Sequence, residues 1–525
     1  MLLSAVVETA EAVGATRSRL AKVDALAGLL SRLDPPEIPV AVGLLTASPR
    51  QGRVGVGWRA LSSLDVVHAA EPALTIGEVD AALDALAATS GAGSTAARGD
   101  ALRDLASRAT VSEWGFLRRV ILGELRTGAL EGVLLDAVTR ASGRDAALVR
   151  RAAMLSGDLG ETATLALTGA PDELAAVGLV VGRAVSPMLA STAATVAEAV
   201  ATVGEASVEH KLDGARIQVH RRGDDVRVFT RSLADITHRL PEVVEVVRRM
   251  PVRDVILDGE TLALDEDDAP RPFQDTMARF GAELAREVVL HPWFFDVLHV
   301  DGRDLIDEPL RLRREELGRI APEHRIPGEV TSDPEIAERV AADALAAGHE
   351  GVVVKAIDSA YAAGRRGSSW VKVKPVHTFD LVVLAAEWGY GRRTGRLSNL
   401  HLGARDATGE LGGGFVMVGK TFKGLTDALL RWQTETFPRL AVRETPGTVW
   451  LAPEIVVEIA IDGVQRSTRY PGGLALRFAR VKRYRDDKRP EEADTIQSLR
   501  DLLRGPAVAG SGDSAESGRF PADPS

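Results

Sequence analysis

The stretch 207–232, SVEHKLDGARIQVHRRGDDVRVFTRS, decides the fold. Polar and apolar residues alternate through SVEHK, again through ARIQVH and again through VRVFT, which is the two-residue period of half-buried strands. RRGDDVR supplies the Gly/Asp chemistry of a hairpin turn between the second and third runs, and Lys211 stands beside the first turn. Further short β runs follow in DVILDGETLAL (254–264), WFFDVLHVDG (293–302), EGVVVKA (350–356) and SSWVKVKP (368–375), separated by Gly/Asp turns and a few helices. Residues 173–376 therefore read as an α+β region built mainly on antiparallel strands.

On either side the pattern changes. Residues 1–172 place apolar residues at intervals of three and four, as in AKVDALAGLLSRL, IGEVDAALDALAAT, WGFLRRVILGEL and LEGVLLDAVTRA, and this predicts an all-α domain. Its loops SPRQGRVGVGW and LRTGALEG offer Gly and Arg either to phosphates or simply as helix connections. From 377 to 505 strands resume, with one helical stretch near LTDALLRWQTETF, which is enough for a small β-barrel. The last segment, 506–525, is rich in Gly, Ser, Pro and Asp and reads as disordered.

Composition narrows the class. The chain has 525 residues, 45% hydrophobic and 26% charged, the balance of a soluble, multidomain globular enzyme. Its first residues reach Glu8 and Glu11 without a basic segment or a long apolar run, so neither a secretory signal nor a membrane span is expected, and the protein is expected to be cytoplasmic. With no cysteine, disulfides and thiolate zinc sites are excluded. The net charge of −10 leaves nucleic acid open as a partner, because binding follows where arginines cluster rather than the total. Lysine is rare: positions 22, 211, 355, 372, 374, 420, 423, 482 and 488 are all there are, against 64 basic residues. Lysine can lose its proton and attack as a nucleophile, whereas arginine effectively cannot.

Lys211-Leu-Asp-Gly214 alone is a weak signal, but an ordered series follows it: Arg231, Asp258-Gly-Glu260, Phe295-Asp296, Glu350-Gly-Val-Val-Val-Lys355, Trp370-Val-Lys372-Val-Lys374 and Arg485-Asp-Asp-Lys488. In order and spacing the series resembles the motifs of covalent nucleotidyltransferases, and most closely those of ATP-dependent DNA ligases. FLRRVILGELRTGALEGVLLDAV is similar to part of the ligase DNA-binding domain, VSPMLA to the start of the adenylation domain, and RFARVKRYRDDKRPEEAD to the C-terminal ligase segment. The resemblance implies a helical DNA-binding domain, a nucleotidyltransferase domain and an OB-fold barrel. It also implies ATP and Mg²⁺ as cofactors and nicked double-stranded DNA as substrate, in repair, recombination or replication. A monomer is expected.

The resemblance implies these roles. Lys211 carries AMP as a phosphoramidate. Glu209 accepts from the adenine amino group, and Phe295 stacks on the base unless the neighbouring Phe294 does so. Arg216, Arg231 and Arg366 contact ribose, phosphates or the nick. Glu260 and Glu350 hold Mg²⁺. Strand alternation puts Trp370, Lys372 and Lys374 on one face and Val371 and Val373 on the other, so the two ammoniums reach phosphate oxygens, and neighbouring cations such as these or a metal favour the neutral amine of Lys211. Arg485 and Lys488, on the third domain, orient the departing pyrophosphate. Lys355 lies five residues from Glu350, so a regular strand would face the two oppositely. Arg392, Arg393 and Arg396, in GYGRRTG and just beyond it, face DNA phosphates.

One rival motif is present. Gly414-Phe-Val-Met-Val-Gly-Lys-Thr421 spells a P-loop, but Phe415 to Val418 are strand formers and the string reads as a strand instead. An RNA ligase or a capping guanylyltransferase would share the lysine chemistry, although neither usually carries a large helical domain ahead of it. A catalytically silent DNA-binding scaffold would bind without taking up AMP.

Overall fold

The computed structural model describes residues 1–504 except 53, 63, 92, 126–129, 266–268, 272 and 282–288, and only the backbone of 130, 273, 278, 280, 281, 392 and 504. The expected disordered tail, 506–525, lies outside the described residues, as does the whole Arg-Thr-Gly-Ala segment that follows Leu125.

The chain opens with eleven described helices, from Leu3–Ala15 to Pro171–Ala175, packed on one apolar cluster. Local chemistry starts two of them. Thr75 and Thr110 accept the backbone N–H of Glu78 and Glu113, and those carboxylates return to the threonine N–H at 2.9 and 2.8 Å.

Ten strands follow: β1 (Leu189–Thr192), β2 (Ala206–Lys211), β3 (Ala215–Arg222), β4 (Asp225–Thr230), β5 (Asp254–Ala263), β6 (Leu290–Val300), β7 (Arg303–Asp304), β8 (Gly328–Thr331), β9 (Gly351–Ala356) and β10 (Arg366–Val373). They form two five-stranded sheets, ordered β1-β10-β9-β2-β8 and β4-β3-β5-β6-β7. The hairpin read from RRGDDVR joins β3 to β4 through Gly223 and Asp224, with Arg222 opposite Asp225 and Gly223 at φ +58°. One face of the first sheet presents Val208, Val352, Val354, Val371 and Val373 to the helices Val196–Val203 and Pro334–Ala346. The second sheet buries Ile217, Val219, Val228, Val255, Leu257 and Phe294 against Pro241–Arg248. The chain crosses between the sheets at Leu212-Asp213-Gly214. A Cβ on Gly214 would lie 2.5 Å from the Thr261 carbonyl oxygen of β5, so the crossing needs a residue without a side chain.

The remaining strands are β11 (His377–Trp388), β12 (Leu397–Arg405), β13 (Phe415–Thr421), β14 (Ala441–Thr445), β15 (Thr448–Leu451), β16 (Val456–Ile461), β17 (Gly463–Arg466), β18 (Leu474–Arg477) and β19 (Arg480–Tyr484). Seven of them form a sheet in which β11 pairs with β12, β15 and β16, while β17 and β18 form a separate ribbon. The expected barrel is thus only partly met: among the described pairings the sheet does not close. The P-loop string is strand β13, as its β-forming residues dictate, and GYGRRTG makes the turn from β11 to β12. LALRFARVKRYR is not one strand: Phe478 adopts φ +52° and divides β18 from β19. No described helix is long and apolar enough to cross a membrane.

Candidate active site

The polar faces of the two sheets enclose a cavity of about 530 Å³. Glu209 and Lys211 of β2, Arg216 of β3, Glu260 of β5, Phe295 of β6, Lys355 of β9, and Arg366, Trp370 and Lys372 of β10 line it, together with Arg231, Glu350 and Lys374. Alternation along β10 is as read from the sequence: Trp370 and Lys372 face the cavity and Val371 and Val373 face the helices. The Phe294/Phe295 alternative also resolves, because Phe294 is fully buried in the second sheet's core and Phe295 is on the cavity wall.

At the centre, Lys211 Nζ contacts the Glu350 carboxylate. Burial favours the neutral amine, but Glu350, Glu260 and Asp213 outweigh it and hold the lysine above its ordinary pKa. The expected effect of Lys372 and Lys374 is therefore corrected. Carboxylates dominate around the nucleophile, and Lys374 is engaged by Asp462 at 2.6 Å. Lys372 does feel the crowding: burial and then Lys374, Lys211 and Arg366 push its pKa down. Burial pushes the Glu260 carboxyl up to about 7, against the pull of Lys211, the Gly214 N–H and Arg216. Its Oε1 accepts that N–H at 2.8 Å.

The parity argument that set Lys355 opposite Glu350 fails for a local reason. Glu350 precedes β9, and Gly351 takes φ +139°, where an added Cβ would lie 2.3 Å from the Val373 carbonyl oxygen. The strand's alternation begins only after that residue, and both side chains reach the cavity. Lys355 is buried beneath the aromatic wall, 4.5 Å from the Phe295 ring centroid, 4.3 Å from that of Trp370 and 2.5 Å from the Glu209 carboxylate. Phe295 and Trp370 meet edge to face at 5.9 Å. Glu209 also accepts from Ser207 Oγ at 2.7 Å and Arg314 Nη1 at 3.3 Å, which leaves a carboxylate room for about one more donor.

Arg216 reaches the wall but is already held. It donates to both Asp258 oxygens, at 3.1 and 2.7 Å, and to the Met188 carbonyl at 2.7 Å, while Tyr361 donates to Asp258 at 2.6 Å. Further along the same face of β3, Gln218 clasps the backbone of Val185. His220 accepts from the Gly182 N–H at 2.9 Å, its pKa pushed down to about 3 by burial. These residues moor the segment leading into β1.

Several residues missed by the sequence reading come from the C-terminal region. Arg477 grips both oxygens of Asp213, and Arg477 and Phe478 complete the cavity lining. Arg485 and Lys488, by contrast, do not line it. Both donate to the buried carboxylate of Asp380, at 2.8 and 2.6 Å. Arg393 and Arg396 lie on the C-terminal region away from the cavity, and the Arg392 side chain is outside the described residues. In the helical region Arg50 is paired with Asp80 at 2.7 Å, and Arg53 is not among the described residues. Lys420 points to Glu387 on β11 of the same sheet, not to the cavity. Lys420→Ala is accordingly expected to leave covalent AMP uptake intact, measured as mass gain after incubation with ATP and Mg²⁺. Complete loss would restore the P-loop reading.

Three family descriptions match the chain: "DNA ligase N terminus" over residues 59–139, "ATP dependent DNA ligase domain" over 187–374 and "ATP dependent DNA ligase C terminal region" over 393–488. A protein of Pseudarthrobacter chlorophenolicus named "Probable DNA ligase" is 70% identical over 506 residues, spanning 96% of this chain and 100% of its own. One of Saccharopolyspora erythraea with the same name is 59% identical over 512 residues, spanning 98% and 100%. Among solved structures, "Pmar-Lig_PreS3" shares the fold at a TM-score of 0.63 and 20% identity, covering 91% of this chain and 99% of that one. With relatives this similar along nearly its whole length, the chain belongs to the ATP-dependent DNA ligase family.

Proposed function

We propose that the protein uses ATP to seal nicks in duplex DNA, with Lys211 as the carrier of AMP. The observation that carries this is the cavity itself: the Lys211 amine, flanked by the carboxylates of Glu350, Glu260 and Asp213, lies between an aromatic wall fit for a base and cations fit for phosphates. In the first step Lys211 Nζ bonds to the α-phosphorus as the bond to pyrophosphate breaks. The 5′-phosphate of the nick then displaces the lysine, giving DNA-adenylate, and the 3′-hydroxyl displaces AMP. Phe295 and Trp370 offer their rings to the base, with the remaining acceptor position of Glu209 for its amino group. Arg231, Arg366, Lys372 and Lys374 take the phosphates, and Arg216 steadies the ribose side through its anchored guanidinium.

Among the described residues no cluster of three acidic or histidine side chains makes a protein-only metal cage. Two carboxylates in a phosphate-binding cavity suit Mg²⁺, which keeps water and phosphate as its other ligands. Glu260 and Glu350 would hold it, and it would supply positive charge to offset that of the phosphates, while Glu350 remains the carboxylate in contact with Lys211. Arg485 and Lys488 act on pyrophosphate only if the C-terminal region, read as an OB-type barrel, turns a different face to the cavity from the one seen here.

The helical region and the arginines near 392–396 bind the DNA backbone. A nick sealer must ignore sequence, so binding should be sequence-independent and fall steeply between low and physiological salt, and Arg396→Ala should lower the salt slope by about one. A strong base preference at fixed salt would contradict this. The function is tested by supplying labelled ATP or GTP with nicked DNA or nicked RNA: sealing of DNA with ATP supports it, and a preference for GTP or RNA favours a capping enzyme or an RNA ligase. We place the protein in the cytoplasm, acting as a monomer.

A further inference from the structure

Aromatic residues make up 4% of the chain, yet three exposed rings fall on adjoining segments of the C-terminal region. Phe478, at the cavity rim, is 58% exposed, Phe422 is 56% exposed and Tyr390 is 90% exposed. Cations join them. Lys423 Nζ lies 5.4 Å from the Phe478 ring centroid, and the adjacent Phe422 has the Arg393 guanidinium 5.9 Å from its own. Arg393 also donates to the Phe422 carbonyl at 2.6 Å, and its N–H donates to the Tyr390 carbonyl at 3.2 Å in the turn between β11 and β12. Two features show that burial did not set this row. Phe478 holds a positive φ that non-glycine residues avoid, at the point where β18 gives way to β19, and the Tyr390 ring lies almost wholly in solvent.

We propose that this row, Tyr390, Phe422 and Phe478 with Arg393 and Lys423, is a track for unpaired nucleotides beside the strand break, as at a gap or a frayed end. The inference rests on the nick-sealing reading and extends its substrate class. Bases in an intact duplex stack on one another, so a ring reaches their faces only by prying a step apart, at the cost of that stacking. An unpaired base can stack on a ring, while the interleaved cations meet its phosphates. The positive charge selects an anionic polymer over an apolar protein segment. Stacking also tolerates any base, as a sequence-blind enzyme requires.

The test is equilibrium anisotropy at fixed salt with two labelled duplexes, one carrying a plain nick and one whose nick is bordered by unpaired thymidines. The wild-type protein should bind the second more tightly. Tyr390→Ala/Phe422→Ala should lose that preference, by roughly tenfold, while Tyr390→Trp keeps it. AMP uptake by the same preparations should be unchanged, which verifies the fold. If the double variant is impaired there, Tyr390→Ala alone carries the test, since its ring supports no core. Equal affinity of the wild-type protein for both duplexes, or retention of the preference by the variant, overturns the proposal. A wild-type protein that takes up no AMP defeats the nick-sealing reading instead, and the two binding measurements still decide the track.

Discussion

Lys211→Ala protein incubated with ATP and Mg²⁺ gains no AMP, and it seals no nick. The loss is complete rather than graded, because a covalent bond to one nitrogen has no partial substitute. Lys211→Arg is expected to behave the same way: the guanidinium keeps the charge that faces Glu350 but does not give up its proton near neutral pH. This pair of variants separates nucleophilicity from electrostatics, since a lysine that served only to neutralise carboxylates or hold phosphate would be rescued by arginine. Intact-mass measurement reads the outcome directly. Persistent AMP on the Ala variant would move the nucleophile elsewhere, and the remaining cavity lysines, 355, 372 and 374, would be the places to look.

The second large effect concerns Asp296. Its place in the Phe295-Asp296 motif invites a catalytic role, but the side chain is fully buried away from the cavity, against an equally buried Arg313 at 2.7 Å. Arg313 donates to both Asp296 oxygens and also to the carbonyls of Glu308 and Ser359. Asp296→Asn keeps the shape but strands a guanidinium in the interior, and should cost about 3–5 kcal/mol of stability. A urea titration should show an early transition in the variant, while protein still folded in buffer takes up AMP. Unchanged stability with weakened ATP binding would mean that Asp296 reaches the nucleotide after all.

What the sequence made legible was whatever depends on near neighbours. The Trp370-Lys372 face follows from strand alternation with valines on the other side, Lys211 and Glu209 from the motif resemblance, and the structure sets them on one wall. Alternation failed where a glycine broke the backbone pattern, at Gly351, and where a strand was interrupted, at Phe478. The contact of Arg477 with Asp213 spans 264 residues and has no local signature at all. Glu350 was expected in the site as a metal ligand, but no local signature showed that its carboxylate would meet Lys211 directly. Arg485 and Lys488 were recognisable as a motif, but only the packing of β11 shows that Asp380 holds them.

Two of the ion pairs that bind the C-terminal region to the cavity, Asp213 to Arg477 and Lys374 to Asp462, have one further consequence. With Lys374 as the phosphate ligand proposed above, a triphosphate must outcompete Asp462, so nucleotide binding and this clasp oppose each other through a shared ammonium. Reciprocity then holds in both directions: loosening the clasp sharpens nucleotide capture, and a tightly held nucleotide keeps the clasp ajar.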